Sequence, residues 1–341
     1  MLKLLTLCLE LQDKNNDNKE EVTDEFLSGL LKLILEKHGL TMSHADVEAR
    51  NIVRLLDSKF GVSVPAHEMV LGGGGAFEEW GGFVAMLDVR RVNATLGKFP
   101  TDDTFEEAGE GDEEDSRYAP TFVIPLAVSC LEHFMPSDRP PRFSNKSDED
   151  EGEETAEFKM WSATADAYVS LVRRFCDTVA PLAFGSLASK DALVRKLSWI
   201  CLSLIYRGIS MGGNVSGWSA RPQLELVVES VLRGLKQRRD NIKMNEDDDM
   251  YYVPVLPTVT ALFLGQSFQI AGSPSSPLFN AVNTYFLSNT NNVFTDLNAL
   301  PAFTLLFSSS SPDAAKERAW VLKLLVDGVR GSHDYQVAAR R

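Results

Sequence analysis

With 341 residues the chain has room for one long domain or two ordinary ones, and 44% hydrophobic residues can supply a sizeable core. Its formal net charge of −14 is localised: residues 101–117 carry −8, residues 145–158 carry −6, and Glu246-Asp247-Asp248-Asp249 carry −4. The remainder carries +4, which excludes a uniformly acidic body; a mildly basic one can meet RNA phosphates, whereas the acidic runs would repel them.

The opening run Met1-Leu2-Lys3-Leu4-Leu5-Thr6-Leu7-Cys8-Leu9-Glu10 is too short for a secretory signal and has no small-residue cleavage site, so it reads as a core-facing helix. After Thr23-Asp24, an apolar face of Phe26, Leu27, Leu30, Leu31, Ile34 and Leu35 predicts a helix to His38, with Gly39 as its left-handed stop. Ser43 and Asp46 read as a capping box opening a second helix with Ala49, Ile52, Val53, Leu56 and Phe60 inward, closed by Gly61. Further on, Ser189-Lys190-Asp191 caps a helix with Leu193, Leu197, Ile200, Cys201 and Leu204 on one face. Pro222 starts another, in which Leu224, Val227, Val228, Val231 and Leu235 fall at helical spacing. Pro257 opens a helix carrying Val259, Leu262, Phe263, Gln266 and Ile270, and Pro277 precedes Leu278, Val282, Tyr285 and Phe286. Ser311-Pro312-Asp313 begins the last, through Trp320, Val321, Leu324 and Leu325 towards Gly331.

Period-two alternation is nearly absent, so the expected fold is all-α. Dense helices with short Pro/Gly/Ser connectors, together with Asp191…Val194-Arg195, point to armadillo/HEAT-like stacked helical pairs, an α-solenoid, with disordered acidic insertions. The expected organisation is an N-terminal helical part at 1–100 and an acidic insertion at 101–117. A helix with a Pro-rich connector follows at 118–143, a second acidic insertion at 144–157, and a helical-repeat domain at 158–341 that is cut short at its end. The insertions are too poor in apolar residues to offset the entropy of ordering them.

Candidate chemistry is sparse. Cys8, Cys130, Cys176 and Cys201 are scattered, with no ligand or redox spacing. The five histidines form no i,i+4 metal pair, and no Gly-x-Ser-x-Gly elbow is present. Gly72-Gly73-Gly74-Gly75 is followed by Glu78-Glu79 instead of Lys-Ser/Thr, which suits a connector and not a phosphate loop. No run approaches the ~20 apolar residues of a membrane span. Leu27-Ser28-Gly29-Leu30-Leu31 matches an LxxLL motif, although the same leucines form the inward face of a helix. No catalytic site, metal or cofactor is therefore expected. The densest bases outside the acidic runs are Arg233, Lys236, Arg238 and Arg239, at the C-terminal turns of the helix from Pro222, and these are the candidate RNA-phosphate contacts.

The last third carries an ordered series: Leu297-Asn298-Ala299-Leu300-Pro301-Ala302-Phe303, Leu306-Phe307-Ser308-Ser309-Ser310, Glu317-Arg318-Ala319-Trp320, Asp327-Gly328 and Asp334-Tyr335. Upstream stands Tyr118-Ala119-Pro120-Thr121-Phe122. This series resembles the C-terminal region of the nucleolar pre-ribosomal-associated protein 1 family. The resemblance implies a long helical-repeat protein of the nucleolus that acts in large-subunit assembly and ribosomal RNA maturation. Its implied partners are pre-ribosomal RNA, small nucleolar RNA and assembly factors including a DEAD-box helicase. It implies no catalytic residue; Tyr118, Pro120, Phe122, Leu297, Pro301, Phe303, Phe307, Glu317, Trp320, Asp327, Gly328, Asp334 and Tyr335 are expected to be structural. The expected function is a non-catalytic scaffold holding RNA and assembly factors together, with an armadillo/HEAT-type adaptor that binds only proteins as the alternative.

Overall fold

The computed structural model describes residues 24–61, 65–71, 82–98, 117–137, 156–212, 217–241, 252–288 and 312–339. The opening run, the glycine run, the acidic stretches 101–116, 144–155 and 246–249, and Leu297, Pro301, Phe303 and Phe307 lie outside them. The described residues are helical, with no strand and one isolated antiparallel bridge, Thr41 to Tyr118. The helices are α1 (Asp24–Lys37), α2 (His44–Phe60), α3 (Ala66–Leu71), α4 (Gly82–Met86), α5 (Val89–Gly97), α6 (Pro120–Phe134) and α7 (Ala156–Cys176). There follow α8 (Val179–Ser186), α9 (Ala192–Met211), α10 (Arg221–Asn241), α11 (Thr258–Ala271), α12 (Phe279–Ser288), α13 (Ala314–Gly328) and α14 (Ser332–Ala339). From α6 to α12 each helix packs on its chain neighbour, α13 packs on α11 and α5, and buried side chains from Leu27 to Val337 join in one apolar core.

Local chemistry explains many of the boundaries. Ser43 caps α2 by accepting from the Asp46 N–H, and Gly61 closes it in the left-handed region, at φ 68°. Only half of the expected capping box forms, however. The Asp46 carboxylate turns back to accept from the N–H groups of Gly39 and Thr41, each at 2.8 Å, and from the Thr41 hydroxyl. The expected left-handed stop also moves by one residue, because Leu40, not Gly39, has positive φ (60°). Gly39 is needed for space: a Cβ there would lie 2.9 Å from Asp46 Oδ2.

This turn holds a buried polar group. His38 is buried between the rings of Phe83 and Phe122, and its Nδ1 accepts from the Leu40 N–H at 3.0 Å. Its Nε2 lies 3.5 Å from Arg50 Nη1, which itself donates to the Thr41 carbonyl at 2.7 Å. Burial lowers the His38 pKa to about 4, with Arg50 adding to the shift and Asp46 opposing it. Unfolding lets His38 take a proton below its ordinary 6.5, so stability should fall as the pH drops from about 6.5 to about 4. The full effect is on the order of 3 kcal/mol. Urea midpoints across that window should show this fall, and His38→Gln should flatten it; equal pH dependence in both proteins would refute the assignment.

The residues that flank the acidic stretch 101–116 meet. Arg117 donates to the Lys98 carbonyl at 3.0 Å, and its own carbonyl accepts from the Met42 N–H at 2.9 Å. Further on, α7 begins at Ala156, two residues inside the stretch 144–157 that was expected to be an insertion.

At the centre lies α11, and here the expected single apolar stripe widens into burial on every side. The eight residues Thr258 to Gly265 are all buried, as α5, α8, α10, α12, α13 and α14 enclose the helix. Its N-terminus is held by Asp334, whose Oδ1 accepts from the Val259 N–H at 3.2 Å. The other oxygen of the same carboxylate accepts from the N–H groups of Arg330 (3.3 Å) and Gly331 (3.1 Å), just before α14. The end of α13 runs so close to α11 that a Cβ on Gly328 would stand 2.8 Å from Val259 Cα.

Candidate nucleic-acid interface

Helix α10 buries Leu224, Val227, Val228, Val231 and Leu235, the stripe its spacing predicts. That leaves the intervening positions of its last turns to carry bases, where positive charge also complements the helix dipole. The four expected contacts do not share one surface. Arg233 is exposed and paired with Glu229 one turn earlier, and Lys236 is exposed. Arg238 is half-buried, with Nη1 enclosed. Arg239 lies against α9, its guanidinium 5.8 Å from the centre of the Trp199 ring, and reaches the Asp240 carboxylate at 3.4 Å.

Lys236 and Arg239 thus come together with residues that sequence reasoning did not select. They line a shallow, open cleft together with Trp199, Leu235, Tyr252, Val253 and Pro254. One wall is fixed by Arg195, a buried residue. Its Nε donates to the Val253 carbonyl at 2.9 Å, and its Nη1 to the carbonyls of Ser189 and Lys190 at 2.8 and 2.7 Å. Segment 252–254 is thereby tied to the start of α9, which Asp191 caps through the Leu193 N–H. The signal that could have pointed to the cleft was Trp199 itself, a tryptophan off the predicted apolar stripe and near bases. That stripe was partly rotated: Cys201 is buried and Leu197, Ile200 and Leu204 pack half-buried on the core, but Leu193 is 62% exposed, and Val194, Ser198, Leu202 and Ile205 complete the buried line. Helices α6, α7, α8 and α10 surround α9, and their positions decide which side is deepest. Ser198 enters the core by donating its hydroxyl to the Val194 carbonyl.

Most family-motif positions that are described have packing roles. Tyr118 is buried, donates its hydroxyl to the Met86 carbonyl and accepts from the Asp88 N–H at 2.7 Å, while Pro120 is the first residue of α6. The Phe122 ring meets those of His38 and Phe83. Glu317 is buried on α13, Trp320 Nε1 donates to Gln266 at 2.6 Å, and the Asp327 carbonyl accepts from Arg330 Nε. Tyr335 differs, being 66% exposed. The LxxLL leucines Leu27 and Leu31 are buried in the core.

Elsewhere the chemistry is quiet. Cys130, Cys176 and Cys201 are buried, and burial pushes the thiols of Cys130 and Cys201 up to about 12 and raises that of Cys176 as well. Among the described residues no three His, Cys, Asp or Glu side chains gather in a way that could hold a metal, and no helix is long and apolar enough to cross a membrane.

Residues 180–341 match the family model described as nucleolar pre-ribosomal-associated protein 1. A Mus musculus protein of that name is 25% identical over 181 residues, 52% of this chain and 7% of its own length. The chain therefore spans only a small part of that relative. No solved structure matches. The matched region runs from α8 to the end of the chain and contains the whole Trp199–Tyr252 cleft.

Proposed function

We propose, from the membership of residues 180–341 in the nucleolar pre-ribosomal-associated protein 1 family, that this chain is a non-catalytic scaffold in large-subunit assembly that holds pre-ribosomal RNA through the basic end of α10. The family is a nucleolar one and has a role in ribosome biogenesis. The observation that carries the RNA contact is local: Lys236 and Arg239 flank an open cleft within the matched region, with Arg233 one turn before them. Such cations bind phosphate through charge, without choosing a sequence, and stacked helices can add several weak contacts into one firm hold. Ribosomal RNA maturation is the process served, and small nucleolar RNA, assembly factors and a DEAD-box helicase are the further partners the family resemblance implies.

The test is charge reversal in the full chain. Lys236→Glu with Arg239→Glu should weaken RNA binding, and the plot of log affinity against log salt should become shallower by roughly 0.7 for each lost contact on a single strand. Unchanged affinity and slope would remove the RNA contact. One observation favours a second reading, an armadillo/HEAT-type adaptor with protein partners only. Leu322 and Val326, one turn apart on α13, are 54% and 80% exposed, as a protein-docking face would be. Co-purification with precursor particles that survives nuclease treatment would favour that adaptor.

A further inference from the structure

Phosphate contact alone needs no aromatic rings, yet the cleft at the end of α10 has two. Resting on the RNA-binding reading, we propose that this cleft takes an unpaired RNA base and makes the site selective for single-stranded over duplex RNA. Trp199 and Tyr252 are half-buried and both line the cleft beside the cations. Arg239 already lies over the Trp199 ring, and a guanidinium plane stacks on a base as readily as on an indole. Val253 and Pro254 add apolar lining, and Lys236 stands at the same opening to meet the adjoining phosphate. The cleft is shallow and open to solvent, so a base would lie on its rim against the rings and not in an enclosed cavity. In a duplex both faces of each base are stacked on neighbours, so only an unpaired base can enter.

The wall is built before ligand arrives. Arg195 is the positioning residue, because its bonds to the Val253, Ser189 and Lys190 carbonyls hold segment 252–254 against α9. Tyr252 is thereby kept near Trp199 without any contact of Arg195 with the base. A preformed wall lowers the ordering cost of binding.

The experiment measures the affinity of the full 341-residue chain for a short unstructured RNA strand, and for the same strand annealed to its complement. Trp199→Leu keeps an apolar side chain on α9 and removes the ring. It should weaken single-strand binding by about tenfold while changing duplex binding by less than about twofold, and Trp199→Phe should restore most of the loss. Should Trp199→Leu lose its helical circular dichroism, Tyr252→Leu decides in its place, since Tyr252 lies outside any helix. Equal loss on strand and duplex, or no loss on either, overturns the base pocket and leaves the phosphate contact standing. If the unaltered chain binds neither RNA, the RNA-binding reading itself falls and takes the pocket with it.

Discussion

Replacing Asp46 with alanine is expected to destabilise the protein by about 4 kcal/mol, among the largest effects of any single substitution at a polar position. Its carboxylate accepts from the N–H groups of Gly39 and Thr41 and from the Thr41 hydroxyl, in a turn whose Leu40 backbone is left-handed. Burial pushes the Asp46 pKa upward, but the hydrogen bonds from Thr41 and Gly39 outweigh that and hold it below its ordinary 3.8. The charged form is therefore the one the fold holds. Its removal leaves buried N–H groups unmatched and takes the compensating negative charge from beside buried Arg50. Asp46→Asn keeps one acceptor and should cost roughly half as much. Urea denaturation of the three proteins at neutral pH checks this. A loss below about 1 kcal/mol in Asp46→Ala would mean that the turn is held by packing alone.

Asp334→Ala comes second, with an expected loss of about 3 kcal/mol. One carboxylate serves two helices, the start of α11 through Val259 and the approach to α14 through Arg330 and Gly331. Negative charge at a helix N-terminus is favourable, and here the group is 5% exposed, so water screens it little. The effect should also be spatially specific. Amide hydrogen exchange should quicken in α14 and the first turn of α11, while α2 stays as protected as before. Uniform acceleration across the chain would show that Asp334 acts through global stability alone.

How much of this was legible in the sequence depends on how far apart the partners lie along it. The apolar stripe of α10 was legible, because Leu224, Val227, Val228, Val231 and Leu235 face one continuous core and period alone places them. Gly61 was legible for a similar reason, since a C-terminal stop is a local affair. Asp334 was marked as structural, but its bond to Val259 spans 75 residues, and no local pattern carries such a pairing. Gly39 and Leu40 exchanged roles because the Asp46 carboxylate occupies the space a Gly39 Cβ would need, a constraint imposed by α2 on the turn before it. Helix α11 reads as one-sided from its spacing, yet its burial is set by six neighbours.

The candidate site divides along the same line. The basic residues at 233–239 were visible as a charge cluster, while the surface they form was not. The cleft is assembled from α9, the end of α10 and segment 252–254, and Arg195 joins Ser189, Lys190 and Val253 across 58 residues. Arg195 belongs to the repeat-like Asp191…Val194-Arg195 pattern, and it is buried with its donors on three carbonyls. Trp199 and Tyr252, 53 residues apart in sequence, meet only because the three segments pack together.

The most direct test of the central claim is a map of RNA-crosslinked peptides from precursor particles irradiated with the full chain in place. Nucleotide adducts are expected on peptides that contain Lys236 and Arg239, and on the peptide that contains Tyr252. Crosslinks from those peptides to protein only, with RNA adducts absent from the chain, would contradict it and leave the protein-binding adaptor as the better account.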